Sequence, residues 1–478
     1  MINRKMKQLA LAVGVALGGM SLLPSAEAVS VSADNMGQVL IFPYYTVRGG
    51  WNTLLGVTNT SDRVVAVKVR FHEALNSRDV FDFNIILSPQ DMWTGWLEDS
   101  ANGPVLSTTD VSCTVGAIPA DGQVFTTTAY TASGAIDDGP TGVDRLREGY
   151  VEMIMMGASN AIGTIDKLAA GAIHKNGATP SGCGDLSAAF KSPTGLSALN
   201  AAFPNYITSP LKGTFALVNA SPGKGFNAVG LPTALNNFRT QPYMTLQLPP
   251  GLNVPFIYSG YEPTLAAATT PGVYYNAATD QPVTGAASGA DAVTDALAVN
   301  TILNEWSRRN NPGAGWSTLT DWVVTFPTKS FYADDNQSVY GGRNPDRVGG
   351  LPAGKYPFNE YFSEVTDGAS CDPMALTVYD REEQSTVPDF SPWEITQLCY
   401  ESNVLTFNQG ALLASPNASS VNYPTSYFFG WMKLEFGTAL PGIGFAITSR
   451  DSGNALLSEA ALYDHSYIRP ATPPTLEE

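Results

Sequence analysis

Carboxylates are the one abundant chemical resource in this chain, with 43 Asp and Glu against 26 Lys and Arg, 3 His and 4 Cys. Asp380, Glu382 and Glu383 follow a strand-like run around Arg381, and period 2 puts Asp380 and Glu382 on one side. Paired carboxylates at a defined separation hydrolyse glycosidic bonds, one as acid and one as base or nucleophile. Charges at a strand's exit more often stay solvated or pair with a neighbouring base, and that is the expectation here. Two acidic loops, 137–144 and 334–338, offer hard oxygen ligands. Asp334, Asn336 and Ser338 alternate as calcium ligands would, although the glycine and terminal glutamate of an EF-hand loop are missing. Calcium is therefore the one cofactor left open, and no other is expected.

Nucleophile and cofactor templates are absent. His72, His174 and His465 are far apart, and His72-Glu73 is followed by Ala74, Leu75 and Asn76, so no second zinc ligand arrives at helical spacing. No G-x-S-x-G elbow, phosphate-binding G-x-x-x-x-G-K-[ST] loop or dinucleotide glycine fingerprint occurs. The reading is non-enzymatic. Trp93, Trp96, Tyr44 and Tyr45 have the chemistry to stack on sugars, but their ordinary role is core or rim packing. Cys113, Cys183, Cys371 and Cys399 include no C-x-x-C pair, and an even count in an oxidising compartment reads as disulfides. Of the three pairings, the sequential one, Cys113–Cys183 with Cys371–Cys399, is favoured because each bridge stays within one segment.

The elements that must position these groups are strands. Val65, Val67, Val69 and Phe71 alternate with Ala66, Lys68, Arg70 and His72, and Phe81, Phe83, Ile85 and Leu87 alternate with Asp82, Asn84 and Ile86. One apolar and one wetter face follow, with His72 on the wetter side and read as solvated. The polar stretch 74–79 is a hairpin connection, and Thr53–Thr58 another strand. Further strands are expected at 124–130, 149–156, 213–219, 322–327, 374–380, 398–407, 430–436 and 444–448, with short helices near 186–190 and 196–203. Asp291 to Arg308 lacks Gly and Pro, sets Val293, Leu297, Ile302 and Trp306 near one face, and is predicted as a single helix. A faint echo relates VLIFP (39–43) to VVTFP (323–327) and GYVEMIM (149–155) to GWMKLEF (430–436), in the same order.

The fold class is thus mainly β, an antiparallel immunoglobulin-like β-sandwich with two cores and irregular and helical excursions. The expected divisions are a signal peptide at 1–28, a first sandwich at 29–258 with an excursion at 158–210, a linker and helix at 259–318, a second sandwich at 319–470, and a flexible tail at 471–478. The signal reading rests on Arg4, Lys5 and Lys7, an apolar run from Leu9 to Leu23, and Ala26-Glu27-Ala28. At about 15 residues, that run is short of the roughly 20 that span a bilayer. Cleavage leaves 23 basic against 42 acidic residues, a formal charge of −19, which repels phosphate backbones and excludes nucleic acid as an expected partner. No later stretch reaches membrane-spanning length.

The Asn52-Thr53, Asn59-Thr60-Ser61-Asp62 and VAVKVRFHEA (65–74) combination resembles immunoglobulin-like or fibronectin-III-like modules of bacterial surface proteins. The set IFPYY (41–45), DFNIILSPQDMWTG (82–95), REGYVEMIMMG (147–157), TDWVVTFPTK (320–329), YDREE (379–383), FSP (390–392) and LCYESNVLTF (398–407) is similar to a family of uncharacterised bacterial secreted proteins. That resemblance implies export through the inner membrane to the cell surface, medium or periplasm, and transfers no catalytic residue. Two function classes follow. One is a secreted or cell-surface structural or adhesion protein that meets surface or matrix components, glycans or its own copies. The other is a secreted carbohydrate-binding or carboxylate-dependent glycan-hydrolysing protein.

Overall fold

The computed structural model describes residues 29–116, 118–132, 137, 139–222, 224–240, 260–261, 273–276, 281–284, 289–311, 315–333, 357–362, 368–392 and 396–471. The fold is mainly β, built from antiparallel sheets packed as sandwiches. Its first sandwich uses β1 (Val39–Thr46), β2 (Trp51–Asn59), β3 (Val65–Glu73), β4 (Asp79–Leu87), β5 (Met92–Glu98), β6 (Glu148–Ala158), β7 (Leu211–Asn219) and β8 (Phe226–Gly230). One sheet runs β1-β6-β3-β4 at its centre and the other β5-β2-β7-β8. Alternation supplies the core: Val67, Val69, Phe71, Phe83 and Ile85 meet Leu55, Val57, Trp93, Phe215 and Leu217 between the sheets. Helices α1 (Cys183–Phe190) and α2 (Leu196–Ala202) fall in the expected excursion and close a small separate core over Ala66, Ile86 and Met156.

The second sandwich follows helix α3 (Gly289–Leu297). It comprises β9 (Ala298–Ser307), β10 (Trp316–Thr325), β11 (Asp372–Asp380), β12 (Ser402–Phe407), β13 (Ser419–Asn422), β14 (Phe429–Pro441), β15 (Ile443–Asp451) and β16 (Glu459–Asp464). Sheet β11-β14-β9 packs on sheet β13-β12-β10-β15-β16, in which β12 and β13 run parallel. Trp306, Leu376, Val378, Met432 and Leu434 meet Trp322, Val324, Leu405 and Phe407 there.

The two cores are not independent. Val323, Val404, Phe445 and Ile447, on the reverse face of the β10 sheet, pack into the first core, where Phe445 lies 5.7 Å from Phe215. Val39, Ile41, Tyr150 and Ile154 pack into the second. Polar contacts cross the same seam: Thr325 Oγ1 donates to the Pro43 carbonyl at 2.6 Å, and Trp51 Nε1 to the Leu412 carbonyl at 2.9 Å. Both bridges form as the favoured pairing has it, Cys113–Cys183 and Cys371–Cys399.

Several expectations change. The 291–308 helix ends at Leu297 and continues as β9, paired along its length with β14. Ile302 and Trp306 are four apart, a spacing that fits both a helical face and a strand face, and the β-branched Val299, Thr301 and Ile302 favour the strand once a partner edge exists. The strand expected at 124–130 is a two-residue strand at Gln123–Val124 and a helical turn at Thr128–Thr131. The sequence echo does not mark equivalent places: β1 pairs with β6, whereas β10 and β14 lie in opposite sheets.

The wetter faces of β3 and β4 are buried. Lys68 contacts Asp82, Arg70 contacts Asp79, and His72 stacks on Tyr150 with centroids 4.7 Å apart. His72 Nδ1 lies 2.9 Å from the Ser77 carbonyl and Nε2 3.4 Å from Glu152. Opposite charges face one another across neighbouring strands, so the layer is close to neutral and tolerates cover. The 74–79 connection is buried too: the Leu75 and Ala74 carbonyls accept from the N–H groups of Glu401 and Ser402.

Candidate functional site

An open cleft of about 640 Å³ runs along the end of β9, lined by β9, β14 and the end of β11 and, from the opposing sheet, by Thr448 of β15 and Tyr463 of β16. Along β11, Met374, Leu376 and Val378 turn inward, which sends Ala375, Thr377 and Tyr379 outward; β14 does the same with Met432 and Leu434 against Trp431 and Lys433. Register places Tyr379 opposite Trp431, and Trp431 opposite Glu305. The Tyr379 and Trp431 rings stack with centroids 4.0 Å apart and planes 3° from parallel. Tyr379 covers one face of the indole, and Trp431, 39% exposed, lines the cleft. Below it, Trp306 Nε1 donates to the Trp431 carbonyl at 3.2 Å and ties the platform to the core.

Charged groups ring this platform. Glu305, Asp380, Arg381 and Glu383 line the cleft with Phe429 and Tyr463. Asp380 ends β11, since its Oδ1 accepts the N–H groups of Glu382 and Gln384, each at 2.9 Å, and closes the turn that the strand runs into. Arg381 lies 3.3 Å from Glu382 in an exposed pair and 5.7 Å above the Phe429 ring centroid. Asp380 and Glu382 therefore do not face a common substrate position as strand alternation predicts. The turn bends Glu382 toward Arg381, and Glu382 is not among the residues lining the cleft.

Other residues singled out in the sequence lie elsewhere. Asp334, Asn336 and Ser338 lie outside the described residues, as does Asp138. Asp137 is held between Arg78 and Arg145, at 2.5 and 2.6 Å, and the arginines keep its carboxyl well below the usual range despite burial. Asp144 pairs with Arg48 and Arg147 at 3.0 and 3.1 Å, so this loop spends its charge on arginines. Among the described residues no three His, Cys, Asp or Glu side chains converge as a metal site. Trp93, Tyr44 and Tyr45 are fully buried. Trp96 lines a second concavity of about 400 Å³ on the outer face of β5, β2, β7 and β8, with Leu54, Met92, Val218 and Val229 and no charged group. His174 sits 3.2 Å from Asp91, and His465 is buried with Nε2 at 2.9 Å from the Val323 carbonyl. Burial drops His465 to about 4, and the neutral ring donates from Nε2 and accepts from Asn304 at Nδ1.

Sequence reading missed Trp431, Tyr379 and Glu305 as one site. Its signal was an outward-facing aromatic in each of two strand runs, but which strands are neighbours is a property of the fold. It also missed two buried acids near the seam. Asp321 accepts the N–H groups of Leu412 and Leu413 at 2.8 Å each, and burial pushes it up to about 8. Glu401 accepts from the Ser330 N–H at 3.2 Å and is likewise pushed up to about 8 by burial.

No family model and no curated protein matches the sequence. Among solved structures, the apo form of the Pleurotus ostreatus lectin aligns over 94% of this chain and 90% of its own, at 6% identity and a TM-score of 0.14. A superposition of that quality carries no argument about fold or ligand. Among the described residues no helix is long and apolar enough to cross a membrane.

Proposed function

We propose that this chain is an exported, non-enzymatic surface or matrix protein that binds glycan chains through the cleft of its second sandwich. The observation that carries the reading is Trp431, held upright by a parallel Tyr379 and presented beside polar groups in a cavity wide enough for a few sugar rings. Sugar rings have apolar faces that stack on indole and hydroxyl rims that need hydrogen bonds, and this cleft offers both. Support for binding without turnover comes from the Asp380 and Glu382 pair: Asp380 is committed to its turn and Glu382 to Arg381. Support for export comes from the basic, apolar and small-residue order before residue 28 and from two disulfides. Retention of the mature protein on immobilised polysaccharides, compared with Trp431→Ala, tests the reading. Retention on at least one polysaccharide, lost or weakened roughly tenfold in the variant, is expected from the loss of about 1.4 kcal/mol of stacking and burial. Equal retention of both proteins, or sugar release into the medium, contradicts it.

A further inference from the structure

We infer that the cleft selects glycans carrying free amines over neutral or acidic ones. This rests on the glycan reading above and adds the ligand's charge. Three carboxylates, Glu305, Asp380 and Glu383, line the cleft, and none has a cationic partner among the described residues. The one cation among the described lining residues, Arg381, is already engaged by Glu382 and by the Phe429 ring. The cleft is therefore net negative beside an exposed indole. An ammonium group next to Trp431 gains from both features, through ion pairing with the carboxylates and through the negative face of the ring. Uronic and sulfated sugars meet the opposite field, and the formal charge of −17 on the whole chain extends that repulsion beyond the cleft. N-acetylation removes the charge and leaves the ring shape, so it separates the two contributions. Stacking is expected to hold the sugar and the acids to choose it.

Calorimetric titration of the mature protein with glucosamine hexamer, N-acetylglucosamine hexamer and glucose hexamer tests this, at about pH 5.5, above the ordinary carboxylate range. Expected is binding of the glucosamine hexamer about tenfold or more tighter than the other two, with the margin shrinking as salt rises. The double variant Glu305→Gln, Glu383→Gln should bring the three sugars together, while Trp431→Ala weakens all three. Circular dichroism confirms that each variant is folded, and the exposed position of these side chains favours that. Equal affinity of wild type for all three sugars overturns the amine preference and leaves the glycan reading standing. No binding of any sugar overturns both. A preference unchanged in the double variant, or lysine hexamer binding as tightly and without need of Trp431, also overturns the inference.

Discussion

At the scale of single residues, the buried acids make a pH prediction. Asp321 is an ordinary carboxylate in the unfolded chain and is pushed up to about 8 by burial in the fold. Between about pH 4 and 8 the folded state therefore holds a proton that the unfolded state has lost, and stability falls as pH rises through that window. Glu401 acts with the same sign. His465, depressed to about 4, acts oppositely, removing stability as pH falls from about 6.5 towards 4. Asp321→Asn keeps an acceptor for Leu412 and Leu413 and removes the titration. Urea midpoints from pH 5 to 8 should then decline less steeply in the variant, by at most about 1.4 kcal/mol per pH unit. An identical decline would place the titration elsewhere. Residue roles were the least legible part of the sequence. Lys68, Arg70 and His72 read as a wet face because polarity alone does not say that Asp79, Asp82 and Glu152 stand close enough to neutralise them.

At the scale of elements, alternating runs were legible because a strand with one apolar face writes period 2 into its sequence, as β3, β4, β11 and β14 do, even though β3 and β4 bury their polar face as well. The 291–308 stretch failed for the converse reason: a four-residue spacing satisfies both periods, and pairing with β14 decides between them. The cleft was half legible. YDREE and the outward Tyr379 could be read from one strand, whereas Trp431 and Glu305 join them only through register. The bridges bear on the same elements. Cys371–Cys399 holds the start of β11 near the segment leading into β12, and Cys113–Cys183 ties α1 to the first sandwich. Cys371→Ser should destabilise the protein by about 2–5 kcal/mol and raise hydrogen exchange first in the second sandwich. Cys113→Ser should act on the 158–210 excursion, and its closed loop of 70 residues rather than 28 adds only about 0.8 kcal/mol to the entropic term. Exchange that rises equally across both sandwiches in each variant would contradict this local reading.

At the scale of the whole molecule, the two sandwiches share their cores, because both faces of β1 and of the β10 sheet are buried and each donates side chains to both clusters. Calorimetric unfolding should therefore show one cooperative transition, and two resolved transitions would argue for independent units. This seam ties the second sandwich to the first, and the cleft lies at the end of β9 between its two sheets, with the Tyr379–Trp431 pair already stacked before any ligand arrives. The most direct measurement is hydrogen–deuterium exchange of the mature protein with and without saturating oligosaccharides of glucose and of glucosamine. The glycan-binding account expects protection concentrated at residues 379–383, 429–431 and 463, stronger with glucosamine. Protection centred instead on the Leu54, Met92 and Trp96 groove, or no protection anywhere, would contradict it.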